Sequence, residues 1–116
     1  MLVWFCPKSN NHEAIAAAKA GVIGLAQSAA ATYASYNLRI NVVAPGMVKS
    51  PLTDVLLKNQ LVAKASTAMH ALGRIGEPSD IARAILFFLN PENSWITGQV
   101  LAVDGGLSSV RPKLKI

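Results

Sequence analysis

Apolar residues recur at changing intervals along this chain, and each interval predicts an element. Between residues 11 and 35, Ile15, Val22, Leu25 and Ala29 recur at helical spacing. Ten alanines lie between Ala14 and Ala34, and alanine is the best helix former. Asn10 or Asn11 can cap this helix, and Glu13 suits the positive end of its dipole. Gly21 and Gly24 cost helix propensity, so they predict a close approach of another backbone. The helix is predicted to end near Tyr36-Asn37.

The period then shortens. Leu38 to Ala44 is nearly all apolar, with Ile40, Val42 and Val43 β-branched, and reads as a buried parallel strand stopped by Pro45-Gly46. Pro51 can open a short helix, and Val55 to Ala71 has weak helical character. Leu72 to Gly76 reads as a connector. Glu77-Pro78-Ser79-Asp80 starts a further helix, whose Ile81, Ile85, Phe88 and Leu89 form the buried stripe up to Asn90-Pro91. Gln99 to Val103 is a last strand, and Asp104-Gly105-Gly106 closes it in a turn whose glycines take positive φ. Residues 2–6 read as a further strand. Strands alternating with helices imply an α/β fold with a parallel sheet and right-handed crossovers.

Composition narrows the class. The 116 residues (12.2 kDa) are 52% hydrophobic and 15% charged, with mean hydropathy +0.36, which excludes a disordered chain. No uninterrupted apolar run approaches the ~18–20 residues that span a bilayer. Met1 to Cys6 is apolar but short, lacks a basic flank and a small-residue cleavage site, and predicts no signal peptide. Cys6 is the single cysteine, which fits a reducing compartment and a cytoplasmic location. The net charge is +5, and falls to +2 without Arg111, Lys113 and Lys115 of the last six residues. The other basic residues, Lys49, Lys58, Lys64, Arg74 and Arg83 among them, are scattered, so no nucleic-acid surface is expected. Cys6, His12 and His70 show no metal-ligand spacing, and His70 has no partner at recognisable spacing. His12 could share the face of Ile15, though an exposed histidine in the first helical turn is the simpler reading.

Four segments in order carry a resemblance. They are Ala16-Ala17-Ala18-Lys19-Ala20-Gly21-Val22, Leu38 to Gly46, Gly73-Arg74-Ile75-Gly76-Glu77-Pro78-Ser79-Asp80-Ile81-Ala82, and Thr97-Gly98-Gln99-Val100-Leu101-Ala102-Val103-Asp104-Gly105-Gly106. From residue 12 to 107 the chain resembles the C-terminal half of the classical short-chain dehydrogenases/reductases. The resemblance implies the C-terminal part of a Rossmann-type three-layer αβα parallel sheet, incomplete over residues 1–110, followed by a basic tail at 111–116. It implies NAD or NADP as cofactor and hydride transfer between an alcohol and a carbonyl. By the same resemblance Lys19, Pro45, Gly46, Val48 and Ser50 are cofactor-binding: Lys19 meets the nicotinamide ribose, the Val48 backbone the carboxamide, and Ser50 approaches the pyrophosphate. Ser50 also reads as an N-cap of the next helix, and both readings stand at this point.

Two departures bear on activity. The family pairs Tyr and Lys at i, i+4 on one helix face, so that the ammonium eases proton exchange by the phenol. This chain has Ile15 where that tyrosine belongs, and Tyr33 and Tyr36 lie about five turns away. It also has no Gly-rich turn after a strand to cradle a pyrophosphate, and no serine near Leu2, where the family's catalytic serine would fall. The expectation is therefore an inactive chain with weak or absent cofactor binding, forming a homo-oligomer or a hetero-oligomer with a homologue. The alternative is a non-catalytic interaction subunit docked on a full-length relative.

Overall fold

The computed structural model describes residues 12–113. The predicted strand at 2–6 and the caps Asn10 and Asn11 lie outside the described residues. Among the described residues six elements carry the fold: α1 Glu13–Tyr33, β1 Val42–Pro45, α2 Pro51–Leu57, α3 Gln60–Met69, α4 Pro78–Leu89 and β2 Val100–Val103, which closes the sheet. Single 3₁₀ turns, Ala34–Tyr36 and Pro91–Asn93, extend α1 and follow α4. The residue before the first turn of α1 is His12, which makes no side-chain cap bond. The chain leaves α1 at Asn37, whose φ of 57° is left-handed and whose N–H returns to the Ala34 carbonyl.

The two strands pair in parallel, Val42 opposite Val100 through Pro45 opposite Val103. Side chains alternate between faces. Val42 (1% exposed) packs on Ala26 of α1, with Val22, Ile23 and Ile40 around it. Val43, buried on the other face, shares a cleft with Ile85 and Phe88 of α4. The result is helix, sheet, helix. Burying Val42 alone stabilises by roughly 1.5–3 kcal/mol.

Several expectations are corrected. The inward stripe of α1 runs through Ala16, Lys19, Ile23, Ala26 and Ala30, while Ile15 and Leu25 are exposed. No atom of another described element lies within 4 Å of a side chain built at Gly21 or Gly24, so the expected close approach is not made among the described residues. Leu89, placed on the buried stripe of α4, is exposed. The strand expected from Leu38 begins only at Val42. Residues 39–41 are tied to 96–99 largely by side chains instead: Ile40 N–H donates to the Thr97 hydroxyl (3.1 Å), and the Asn41 side chain bonds the Ile96 carbonyl and the Gln99 N–H. Arg39 reaches the Phe88 carbonyl at 2.7 Å and that of Ile96 at 3.1 Å, which serves a carbonyl at the end of α4.

Glu13–Tyr36 is long and apolar enough to cross a membrane by length and composition, with hydropathy 1.3 over the relevant stretch and 11% of it buried. Counting uninterrupted apolar residues missed this, because Lys19, Gln27 and Ser28 break the run without lowering the average much.

Candidate functional site

At the carboxyl end of β1 the chain turns through Pro45-Gly46-Met47-Val48-Lys49-Ser50 before entering α2. This is where ligands collect in parallel α/β sheets. Backbone donors must find partners or water, and here their partners can be followed residue by residue. Gly46 N–H donates to the Val103 carbonyl at 3.0 Å, and Lys49 N–H to the Gly76 carbonyl at 2.9 Å. Met47 N–H donates to Nε2 of His70 at 3.3 Å, and Ser50 N–H to the Thr53 hydroxyl at 2.8 Å. Val48 N–H has no partner among the described residues. The Val48 carbonyl accepts from the Thr53 hydroxyl at 2.8 Å.

Ser50 is the N-cap of α2. Its hydroxyl accepts from Thr53 N–H at 3.2 Å, and Thr53 answers with its own side chain in a reciprocal capping box. Val48 and Gly76 form an isolated parallel bridge, which lashes the loop to the segment before α4. Lys49 and Glu77 form an ion pair across the same gap. Asp80 then caps α4: its carboxylate accepts from Glu77 N–H at 2.8 Å and is held in a fork by Arg74 at 2.7 and 3.1 Å. The Arg74 hydrogen bonds, then the Glu77 N–H, hold the Asp80 carboxyl down at about 2.

The end of β2 meets the same place. Asp104 closes a turn by accepting from Gly106 N–H at 3.0 Å and Ser108 N–H at 2.9 Å. Burial opposes its charge, but the bonds from Ser108 and Gly106 outweigh that and keep its carboxyl below the usual range. Gly105 and Gly106 take φ of 58° and 85°, as expected of a strand-end turn. His70, 4% exposed at the end of α3, sits between the two strand ends. Its lack of a sequence-local partner is corrected here: Nδ1 bonds the Ser66 carbonyl at 2.7 Å and Nε2 takes Met47 N–H.

Lys19 approaches by position along α1. Ala26 packs on Val42, and Ala30 lies beside Gly98 before β2, so α1 runs antiparallel to the strands. Seven helical residues back from Ala26 cover ~10 Å, as do the three strand residues from Val42 to Pro45. Lys19, on the inward stripe, therefore comes level with the carboxyl end of β1. Ile15 is one turn further out and 51% exposed. Beside the loop an open groove of about 620 Å³, lined by Val48, Leu52, Leu56, Ile81 and Ile85 among others, is almost wholly apolar.

The structure thus gathers Pro45, Gly46, Val48 and Ser50 in one loop and brings Lys19 to its level. Sequence reasoning missed Thr53 and the contacts of His70, and placed Asp104 in its turn without its neighbours. Thr53 carried a signal, since Ser50-x-x-Thr53 is a variant of the capping-box spacing.

The family profile described as Enoyl-(Acyl carrier protein) reductase matches residues 7–108. The chain belongs to the short-chain dehydrogenase/reductase family. It is 42% identical over 92 residues to the 3-oxoacyl-(acyl-carrier-protein) reductase FabG of Thermotoga maritima, covering 79% of this chain and 37% of that protein. It is 45% identical over 91 residues to carbonyl reductase family member 4 of Xenopus laevis, covering 78% and 36%. A solved short chain oxidoreductase of Pseudomonas aeruginosa PAO1, NADPH-bound and containing an atypical catalytic center, superposes with a TM-score of 0.83 at 31% identity, covering 95% of this chain and 45% of that one. The chain spans less than half the length of these relatives. Its α/β architecture is an incomplete Rossmann fold of this family of oxidoreductases, with the sheet reduced to two parallel strands among the described residues.

Proposed function

We propose that this short-chain dehydrogenase/reductase chain supplies the nicotinamide-side wall of an NAD(P) site and is catalytically silent by itself. One observation carries the silence: Ile15 stands four residues before Lys19 on α1, where the family's proton-exchanging tyrosine belongs. An isoleucine has no proton to exchange. General acid–base catalysis contributes ~10²–10⁴ in rate, and its loss removes the step that must accompany hydride movement.

The residues present fit the nicotinamide end of the cofactor. Val48 offers the loop's uncommitted N–H and a carbonyl with a second lone pair, a complementary pair for a carboxamide. Lys19 comes level with that loop and can meet a ribose hydroxyl. Ser50 uses its oxygen as an acceptor in the α2 cap and shares a hydrogen bond with the Thr53 hydroxyl at 3.1 Å, so its O–H would have to turn from Thr53 to meet a phosphate. NAD or NADP, when bound, supplies the hydride-accepting or hydride-donating ring. Affinity is proposed to be weak, since the sequence has no Gly-rich turn for the pyrophosphate.

The second reading is a non-catalytic subunit that docks on a full-length homologue, or on its own copy, in the cytoplasm. It is favoured by the bare face of α1 around Gly21 and Gly24 and by the exposed Val100 and Leu101 of β2. Neither a nucleic acid nor a membrane is proposed as partner. Lys49, Lys58, Lys64, Arg74 and Arg83 are scattered along the sequence, and α1 carries Lys19 on the stripe that packs toward the sheet.

Turnover of NADH and NADPH by the purified chain, against a panel of ketones and alcohols, tests the silence. No turnover is expected, either in the natural chain or in Ile15→Tyr, whose restored phenol still lacks a tightly held cofactor. Turnover by the natural chain would refute the reading.

A further inference from the structure

We propose that His70 is a positioning residue, which holds the Met47–Val48 peptide so that Val48 N–H is the one free donor of the strand-end loop. The inference deepens the nicotinamide-side reading and rests on it for the identity of the ligand.

Four of the five N–H groups from Gly46 to Ser50 are taken. Three of these go to the Val103 carbonyl of the strand ladder, the Gly76 carbonyl of the isolated bridge and the nearby Thr53 hydroxyl. Met47 N–H is different. Its acceptor is a side chain from α3, 23 residues away, on the element that packs beside α2. The imidazole is fixed at both ends. A carbonyl can only accept, so Nδ1, at 2.7 Å from the Ser66 oxygen, carries the proton. An amide N–H can only donate, so Nε2 presents its lone pair to Met47. Each bond enforces the tautomer that the other requires.

Gly46 makes the room: a side chain there would come 3.1 Å from Nε2, while a Cβ at Gly105 would only touch the His70 side chain at 3.6 and 3.7 Å. The ring therefore sits against the bare backbone of Gly46 after β1, and His70 is 4% exposed. This bond is part-buried, and leaving its donor without an acceptor still costs stability. Without the acceptor, Met47 N–H becomes a second unpaired donor next to Val48. The peptide between them is then free to rotate, and the loop no longer offers a single donor in a fixed direction.

The test uses the full chain labelled with ¹⁵N. In the natural chain Nδ1 is expected protonated, Nε2 unprotonated, and a coupling across the hydrogen bond is expected between Met47 N–H and Nε2. Met47 N–H is expected to be protected from exchange and Val48 N–H unprotected. In His70→Leu, Met47 N–H should exchange about tenfold faster. In His70→Gln, whose side-chain oxygen lies as many bonds from Cβ as Nε2 does, most of that protection should return. Titration with nicotinamide mononucleotide should shift the Val48 amide in the natural chain and the Gln variant, and less in the Leu variant. A proton on Nε2 in the natural chain overturns the proposal even if His70→Leu fails to fold. So does unchanged Met47 protection in a folded Leu variant, or a Leu variant whose freed Met47 leaves the Val48 response intact. A natural chain with the His70 bond in place but no Val48 response overturns the nicotinamide reading instead.

Discussion

Gly46 decides how closely the two strand ends can meet. Its φ is unexceptional, so the requirement is steric: a Cβ there would lie 2.8 Å from Cα of Asp104 and 2.9 Å from its Cβ. Backbone cannot yield as a flexible side chain can. Gly46→Ala is expected to cost about 1–3 kcal/mol by overpacking, read as a lower urea midpoint with an unchanged slope. The Pro45-Gly46 pair was legible in the sequence as a strand stop, since both residues break a strand for local reasons. Lys19 was legible too, because its motif is contiguous on one helix. His70 was not. Its ring bonds one group four residues back and another 23 residues back, and only folding brings the second within reach. Asp104 was legible as a turn residue, but its place beside Gly46 depends on strand pairing.

Helix starts were read more accurately than strand lengths, because a cap is a local hydrogen-bond problem and a strand is not. Pro51 and Pro78 each open a helix where the sequence placed one. Ser50→Ala removes the acceptor of the α2 cap and should cost ~1 kcal/mol, seen by thermal unfolding, while Ser50→Thr should restore most of it. The strand expected over Leu38 to Ala44 shrinks to Val42–Pro45 because Asn41 spends its side chain on Ile96 and Gln99. Periodicity alone cannot see that competition. The α4 cap also sets an acid response. Asp80 is held at about 2, below its ordinary 3.8, so folding favours its charged form. Its contribution is complete above about pH 4 and is lost as the pH falls toward 2. Urea midpoints measured across that window should fall in the natural chain. Asp80→Asn should be less stable near neutrality and should lose less over the same window, with Asp104, also lowered, supplying the remainder.

The molecule as a whole is more open than its length requires. Its radius of gyration is 15.9 Å, against ~13 Å for a compact domain of similar size. Its accessible surface is 8529 Å², against about 6000 Å² for a compact monomer of this mass. Exposed Ile15, Leu25, Leu86 and Trp95 contribute to this, and such surface is normally covered in a stable monomer. Sedimentation equilibrium at low micromolar concentration is expected to show a dimer, a larger species or aggregation. A sharp 12.2 kDa monomer with cooperative unfolding would contradict that. The fold class was legible because four segments recur in order. The exposure was not, because an apolar stripe does not state what will cover it. The nicotinamide-side wall is tested most directly by calorimetric titration with NADH, NADPH and nicotinamide mononucleotide in parallel. All three are expected to bind weakly and within a few-fold of one another, because the adenosine half finds no cradle. A micromolar dissociation constant for either dinucleotide, about −8 kcal/mol of binding, with the mononucleotide far weaker, would show that the chain holds the whole cofactor and would contradict the proposal.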